Sequence, residues 1–76
     1  MNPRLPVVSG QELIRVLTRV GYEVVRQRGS HVRLRHPTVR AQFPVTIPLH
    51  DEIAFGTLRR ILRDAGLTVE QLLSLL

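Results

Sequence analysis

The 76-residue chain contains no cysteine. That one absence excludes disulfide staples, thiolate nucleophiles and thiolate metal sites. Lysine is missing as well: all 11 basic residues are arginine, set against 6 acidic ones, for a formal charge of +5. Apolar runs are short, far below the roughly 20 residues that a bilayer-spanning helix needs. Pro3, Arg4 and Pro6 interrupt any apolar stretch behind Met1 that a secretory leader would use. His31, His36 and His50 are too widely spaced in the chain, and too poor in acidic neighbours, to read as a metal-ligand cluster. What is there is a hydrophobic fraction of 43%, enough for one packed core, and a surplus of guanidinium groups that favours a polyanionic partner. The chain is expected to be a single cytoplasmic domain over residues 1–76 with no membrane segment.

Local patterns predict the elements. After a proline-marked lead-in, Ser9 and Glu12 stand in capping-box spacing, and Leu13, Ile14, Leu17 and Val20 recur at helical period. This predicts a helix over 10–20, ended by Gly21 in the left-handed conformation. Tyr22 to Arg28 and His31 to His36 predict two strands joined by a Gly29-Ser30 turn. A third strand is expected over Phe43 to Ile47, stopped by Pro48. Thr57 is the expected cap of a second helix with Leu58, Ile61, Leu62 and Ala65 on its apolar stripe, Gly66 past its end, and an Arg60–Asp64 surface ion pair. Thr68 and Gln71 repeat the capping box before a short last helix, whose Leu72, Leu73, Leu75 and Leu76 serve either core or interface. The expected class is α+β, in the order α-β-β-β-α(-α), with a three-stranded antiparallel sheet covered on one face by helices.

Strand periodicity then sorts the faces. A two-residue turn places Arg28 opposite His31 and Arg26 opposite Arg33. Val25, Val32 and Leu34 are expected on the core face, and Arg26, Arg28, His31, Arg33 and Arg35 on the outer one. Tyr22 and Val24 then also fall outward, a conflict that a bulge or a longer turn removes. Like charges facing one another across a strand pair cost stability, so the outer face is open to two readings, a solvated surface or an anion-binding one.

Three histidines are the side chains suited to moving protons near neutral pH. His31 heads the basic stripe. His36, before Pro37, reads as a polar terminator, and His50 as either structural or a loop group approaching the site. Ser30 and His31 are adjacent and point to opposite sides, which argues against a serine–histidine relay. Gly29-Ser30 is too short for a Walker-type phosphate loop. Gly56-Thr57 reads as an ordinary helix start or, less strongly, as a phosphate-binding helix terminus. One base plus cationic charge, without a metal, suits cleavage of RNA by its own 2′-hydroxyl, because the nucleophile belongs to the substrate.

Four runs taken together, Ser9-Gly10-Gln11-Glu12-Leu13, Gly21 through His31, Val45-Thr46-Ile47-Pro48-Leu49-His50 and Gly56 through Leu67, resemble the HicA-type mRNA interferase toxins of HicA–HicB toxin–antitoxin pairs. The resemblance covers nearly the whole chain. It implies a fold similar to the double-stranded RNA-binding domain. It also implies a metal-independent endoribonuclease without cofactor that blocks translation by cutting mRNA, and a HicB-type antitoxin as partner. His31 corresponds to the family's catalytic histidine; Arg28 and Ser30 flank it as phosphate contacts, with Arg26, Arg33 and Arg35 as further RNA-binding residues. His50 is the candidate second acid or base. The rival reading is a non-catalytic RNA-binding module of the same fold.

Overall fold

The computed structural model describes residues 4–76; the first three residues of the lead-in lie outside it. Helix α1 spans Gly10–Arg19, strands β1, β2 and β3 span Glu23–Arg28, His31–Arg35 and Val45–Pro48, and helices α2 and α3 span Phe55–Ala65 and Val69–Leu75. The strands form one antiparallel sheet in the order β1-β2-β3. This is the expected α+β class, and its order is compatible with the double-stranded RNA-binding arrangement. No described helix is long and apolar enough to cross a membrane.

The central strand β2 has the alternation its sequence dictates. Val32 and Leu34 are buried while His31, Arg33 and Arg35 are exposed. Val45 and Ile47 of β3 continue the core face, and all four side chains pack against Leu13, Val16 and Leu17 of α1 and Leu58, Ile61 and Leu62 of α2. Burying one such side chain contributes roughly 1.5–3 kcal/mol, so this shared layer dominates the stability. Val16, outside the expected stripe, is fully buried, whereas Ile14 and Val20 are only partly so. In α3, Leu72 joins the core and Leu73 remains exposed, as does Leu76 just past its end.

Both capping boxes form. The Ser9 hydroxyl accepts the Glu12 N–H at 3.1 Å while the Glu12 carboxylate accepts the Ser9 N–H at 2.9 Å; Thr68 and Gln71 do the same at 3.1 and 2.8 Å. Gly21 and Gly66 follow their helices with φ of 105° and 70°.

Several boundaries differ from expectation, each for a tertiary reason. The register of β1 on β2 shifts between Val24 and Arg26. Glu23 faces Arg35 and Val24 faces Leu34, but after the shift Arg26 faces Arg33 and Arg28 faces His31. The bulge thus changes parity within β1. Tyr22 is buried, and Val25 is not a core residue: it is 50% exposed, as the extra residue of the bulge. Every residue of β1, an edge strand of the sheet, is exposed. Strand β3 runs two residues later at its start than predicted and includes Pro48, which pairs with His31. Phe43 is held outside the ladder because its N–H donates to the Asp64 carbonyl at the end of α2 (2.7 Å) and its own carbonyl accepts the Tyr22 hydroxyl (2.7 Å).

Helix α2 begins at Phe55, with Ala54 as N-cap and no side-chain cap; Thr57 lies inside the first turn. Its start is set by Ile53, buried and donating its N–H to the Val8 carbonyl at 2.9 Å, so the chain turns before Thr57 is reached. Asp64 approaches Arg63, its sequence neighbour, at 3.6 Å in place of Arg60. Arg63 is exposed and Asp64 half-buried, and such a solvent-screened pair contributes little.

Candidate functional site

The hairpin between β1 and β2 builds the site. Gly29 takes the first turn position with φ of 57°, while Ser30 keeps a negative φ, as in the glycine-first hairpin turn. The turn sets Arg28 directly across from His31 and Arg26 across from Arg33. Residues paired in this way project from the same face, so four basic or titratable side chains gather on the sheet side away from the helices.

Between them lies an open cleft of about 340 Å³, lined by Arg26, Arg28, His31, Arg33 and Thr46. Thr46 belongs to β3, opposite Arg33, and its hydroxyl accepts the Arg33 Nη1–H at 2.9 Å. That bond fixes one guanidinium in a cluster of like charges and leaves its other donors directed elsewhere. Arg35 is displaced from the cleft. It faces Glu23 across the hairpin and, with Val25, Arg26, Arg33 and Pro44, lines an adjoining hollow.

Arg33 also lines a third hollow, which passes over the β3 edge to Arg60 and Asp64 of α2. It is therefore the residue common to all three depressions.

Three histidines have three different surroundings. His31 is exposed in the cleft, with its ring among guanidinium groups. His36 is structural: its Nδ1 accepts the N–H groups of Thr38 and Val39 at 3.3 and 3.0 Å, and its ring meets Tyr22 edge-on at 5.5 Å between centroids. Gly21 has to remain small there, since a Cβ would come within 2.6 Å of His36 Nε2. His50 is exposed beyond β3 and does not line the cleft. Its carbonyl accepts the Gly10 N–H at 2.9 Å, and the preceding Leu49 donates to the Ser30 carbonyl at 2.7 Å, which ties this segment to the hairpin turn. Ser30 is exposed in that turn, next to His31.

The structure thus brings together Arg26, Arg28, His31 and Arg33, puts Arg35 beside them, and keeps Ser30 and His50 on the periphery. Sequence reasoning missed Thr46 and Arg60. The outward parity of Thr46 was available from the buried Val45 and Ile47 on either side, but its pairing with Arg33 depends on register. Arg60 depends wholly on how α2 crosses the sheet. No described side chain that is polar or charged is fully buried, so all these groups meet solvent. Chemically, the cleft can hold an anion in several guanidinium forks and offer it one imidazole.

No curated protein matches the chain. A family model described as the HicA toxin of bacterial toxin–antitoxin systems matches residues 10–67, from the first residue of α1 to the loop after α2. The matched span contains the whole hairpin, the cleft and both helices that cover the sheet, and on that match the chain belongs to the HicA toxin family.

Proposed function

We propose that the protein is an endoribonuclease toxin that binds mRNA on the outer face of its sheet and cuts it with His31 as general base. The observation that supports this most is the cleft itself, where an exposed imidazole stands among Arg26, Arg28 and Arg33. In this reading His31 takes the proton of a ribose 2′-hydroxyl, and the resulting oxygen attacks the adjacent phosphorus. The bond from phosphorus to the 5′ oxygen breaks, leaving a 2′,3′-cyclic phosphate and a 5′-hydroxyl. The leaving oxygen needs a proton, supplied by protonated His31 or by a second group, for which His50 is the candidate. Arg26, Arg28, Arg33 and Arg35 hold the backbone and neutralise the charge that grows on the phosphoryl oxygens, while Ser30 adds a contact at the turn. The step uses no metal and no cofactor. Its antitoxin, of the HicB type, silences the toxin by covering this face.

Purified wild type and His31→Ala protein, incubated with mRNA with and without chelator, test the reading. The expected result is cleavage by wild type in both conditions, and RNA binding without cleavage by the variant. Cleavage at an undiminished rate by His31→Ala would remove its role, strict dependence on a divalent ion would remove the metal-free step, and no cleavage by either protein would leave a binding module.

A further inference from the structure

A hollow larger than the cleft lies on the helical side, a groove of about 760 Å³ bounded by the segment before α1, α2 and the start of α3. Leu5, Phe55, Leu67 and Val69 give it an apolar lining. Phe55 is 51% exposed, although it opens a helix whose other apolar residues are buried. Arg4, Arg59 and Arg63 line the same groove, and among the described residues no acidic side chain does. Arg63 approaches Asp64 at 3.6 Å, but the Arg63 side chain is itself exposed and the contact is screened, which leaves its charge open to a stronger partner.

An apolar groove with a cationic margin selects its occupant. The aromatic and aliphatic surface favours a side-chain ridge such as the apolar face of a helix, and the guanidinium groups favour carboxylates along that ridge's flanks. RNA backbone satisfies the arginines and leaves the apolar side chains wet. A second copy of this chain, with its +5 charge, brings mainly more guanidinium to a margin that is already cationic.

We infer that this groove is a docking site for an acidic amphipathic segment of the antitoxin, separate from the arginine face of the sheet. Only the source of the segment rests on the toxin reading; the chemistry of the groove does not. The antitoxin would then hold the toxin at two places, an anchor on the helical side and a cover over the cleft. An anchor of this kind keeps the pair together whether or not RNA occupies the cleft.

The test uses the full chain and its cognate HicB-type antitoxin. Binding is measured by titration calorimetry for wild type, for an Arg59→Glu/Arg63→Glu double variant and for Phe55→Ser, with mRNA cleavage assayed in parallel. The substituted side chains lie in an open groove, and circular dichroism confirms that the variants are folded. Both variants should bind the antitoxin at least tenfold more weakly and cleave RNA at the wild-type rate. Wild-type affinity in both variants, or no binding by the wild type, overturns the inference. So does self-association of the wild type that the variants relieve, or a loss of RNA affinity in place of antitoxin affinity. Failure of wild type to cleave RNA, with the antitoxin results as expected, removes the nuclease reading and leaves the groove assignment standing.

Discussion

Gly10 shows how one backbone position fixes the path of another. It is buried at the start of α1, where a Cβ would press on the carbonyl oxygen of Pro48 and on the Leu49 backbone. Its N–H holds the His50 carbonyl, so it clamps the segment that leaves β3. Because the obstacle is backbone, neither side can move aside cheaply. Gly10→Ala is expected to destabilise the fold by about 1–3 kcal/mol, the usual range for overpacking, despite alanine's better helix propensity. Urea unfolding measures it, and an unchanged or higher midpoint would show that the Pro48–His50 segment yields. Nothing in the sequence marked Gly10 in this way. A glycine after a cap residue is unremarkable until the strand that passes over it is known. His31, by contrast, was legible because its neighbours settle its face: Val32 and Leu34 turn inward, so His31, Arg33 and Arg35 turn outward.

At the scale of elements, legibility followed the range of the hydrogen bonds. The boxes at Ser9–Glu12 and Thr68–Gln71 close within three residues, and both helices begin where those pairs predict. Helix α2 has no such device, and its start was misplaced because Ile53 and Val8, far apart in the chain, determine it. The N-terminal box also makes a pH prediction. Hydrogen bonds from the Ser9 backbone and side chain, with a smaller contribution from Arg15, hold the Glu12 carboxyl below its ordinary value of 4.5. The folded state therefore binds this proton more weakly than the unfolded chain does. The resulting stabilisation is present above pH 4.5 and is lost as pH falls through the depressed folded value. In Glu12→Gln the amide oxygen can keep the box without titrating. Thermal unfolding between neutral and strongly acidic pH should show a smaller acid-dependent drop for Glu12→Gln than for wild type. Equal drops would mean that the box does not couple to protonation.

For the whole molecule, the distribution of charge is the feature with functional weight. The guanidinium groups of β1 and β2 converge on one sheet face, and Arg33 links three adjoining hollows there. If RNA lies along this face, binding releases counterions and falls steeply with salt. Arg33→Ala should weaken RNA binding and lower the slope of log affinity against log salt by about 1, the signature of one lost phosphate contact. Filter binding across a salt series measures this. Weaker binding with the full slope retained would assign Arg33 to packing against Thr46 instead of phosphate.

By itself the sequence determined what is local or compositional. It specified the α+β order, two capped helix starts, the glycine-led hairpin turn, the inward and outward sides of β2, and an arginine surplus without lysine or cysteine. Each rests on bonds or periods spanning a few residues. Tertiary structure decided the rest. The bulge between Val24 and Arg26 lets Tyr22, just ahead of β1, be buried while Arg26 and Arg28 face outward, and the β2–β3 register brings Thr46 to Arg33. Crossing of the helices over the sheet leaves Phe55 open beside Arg59. These depend on which distant segments meet, and burial against partners far along the chain outweighs local preference wherever the two disagree.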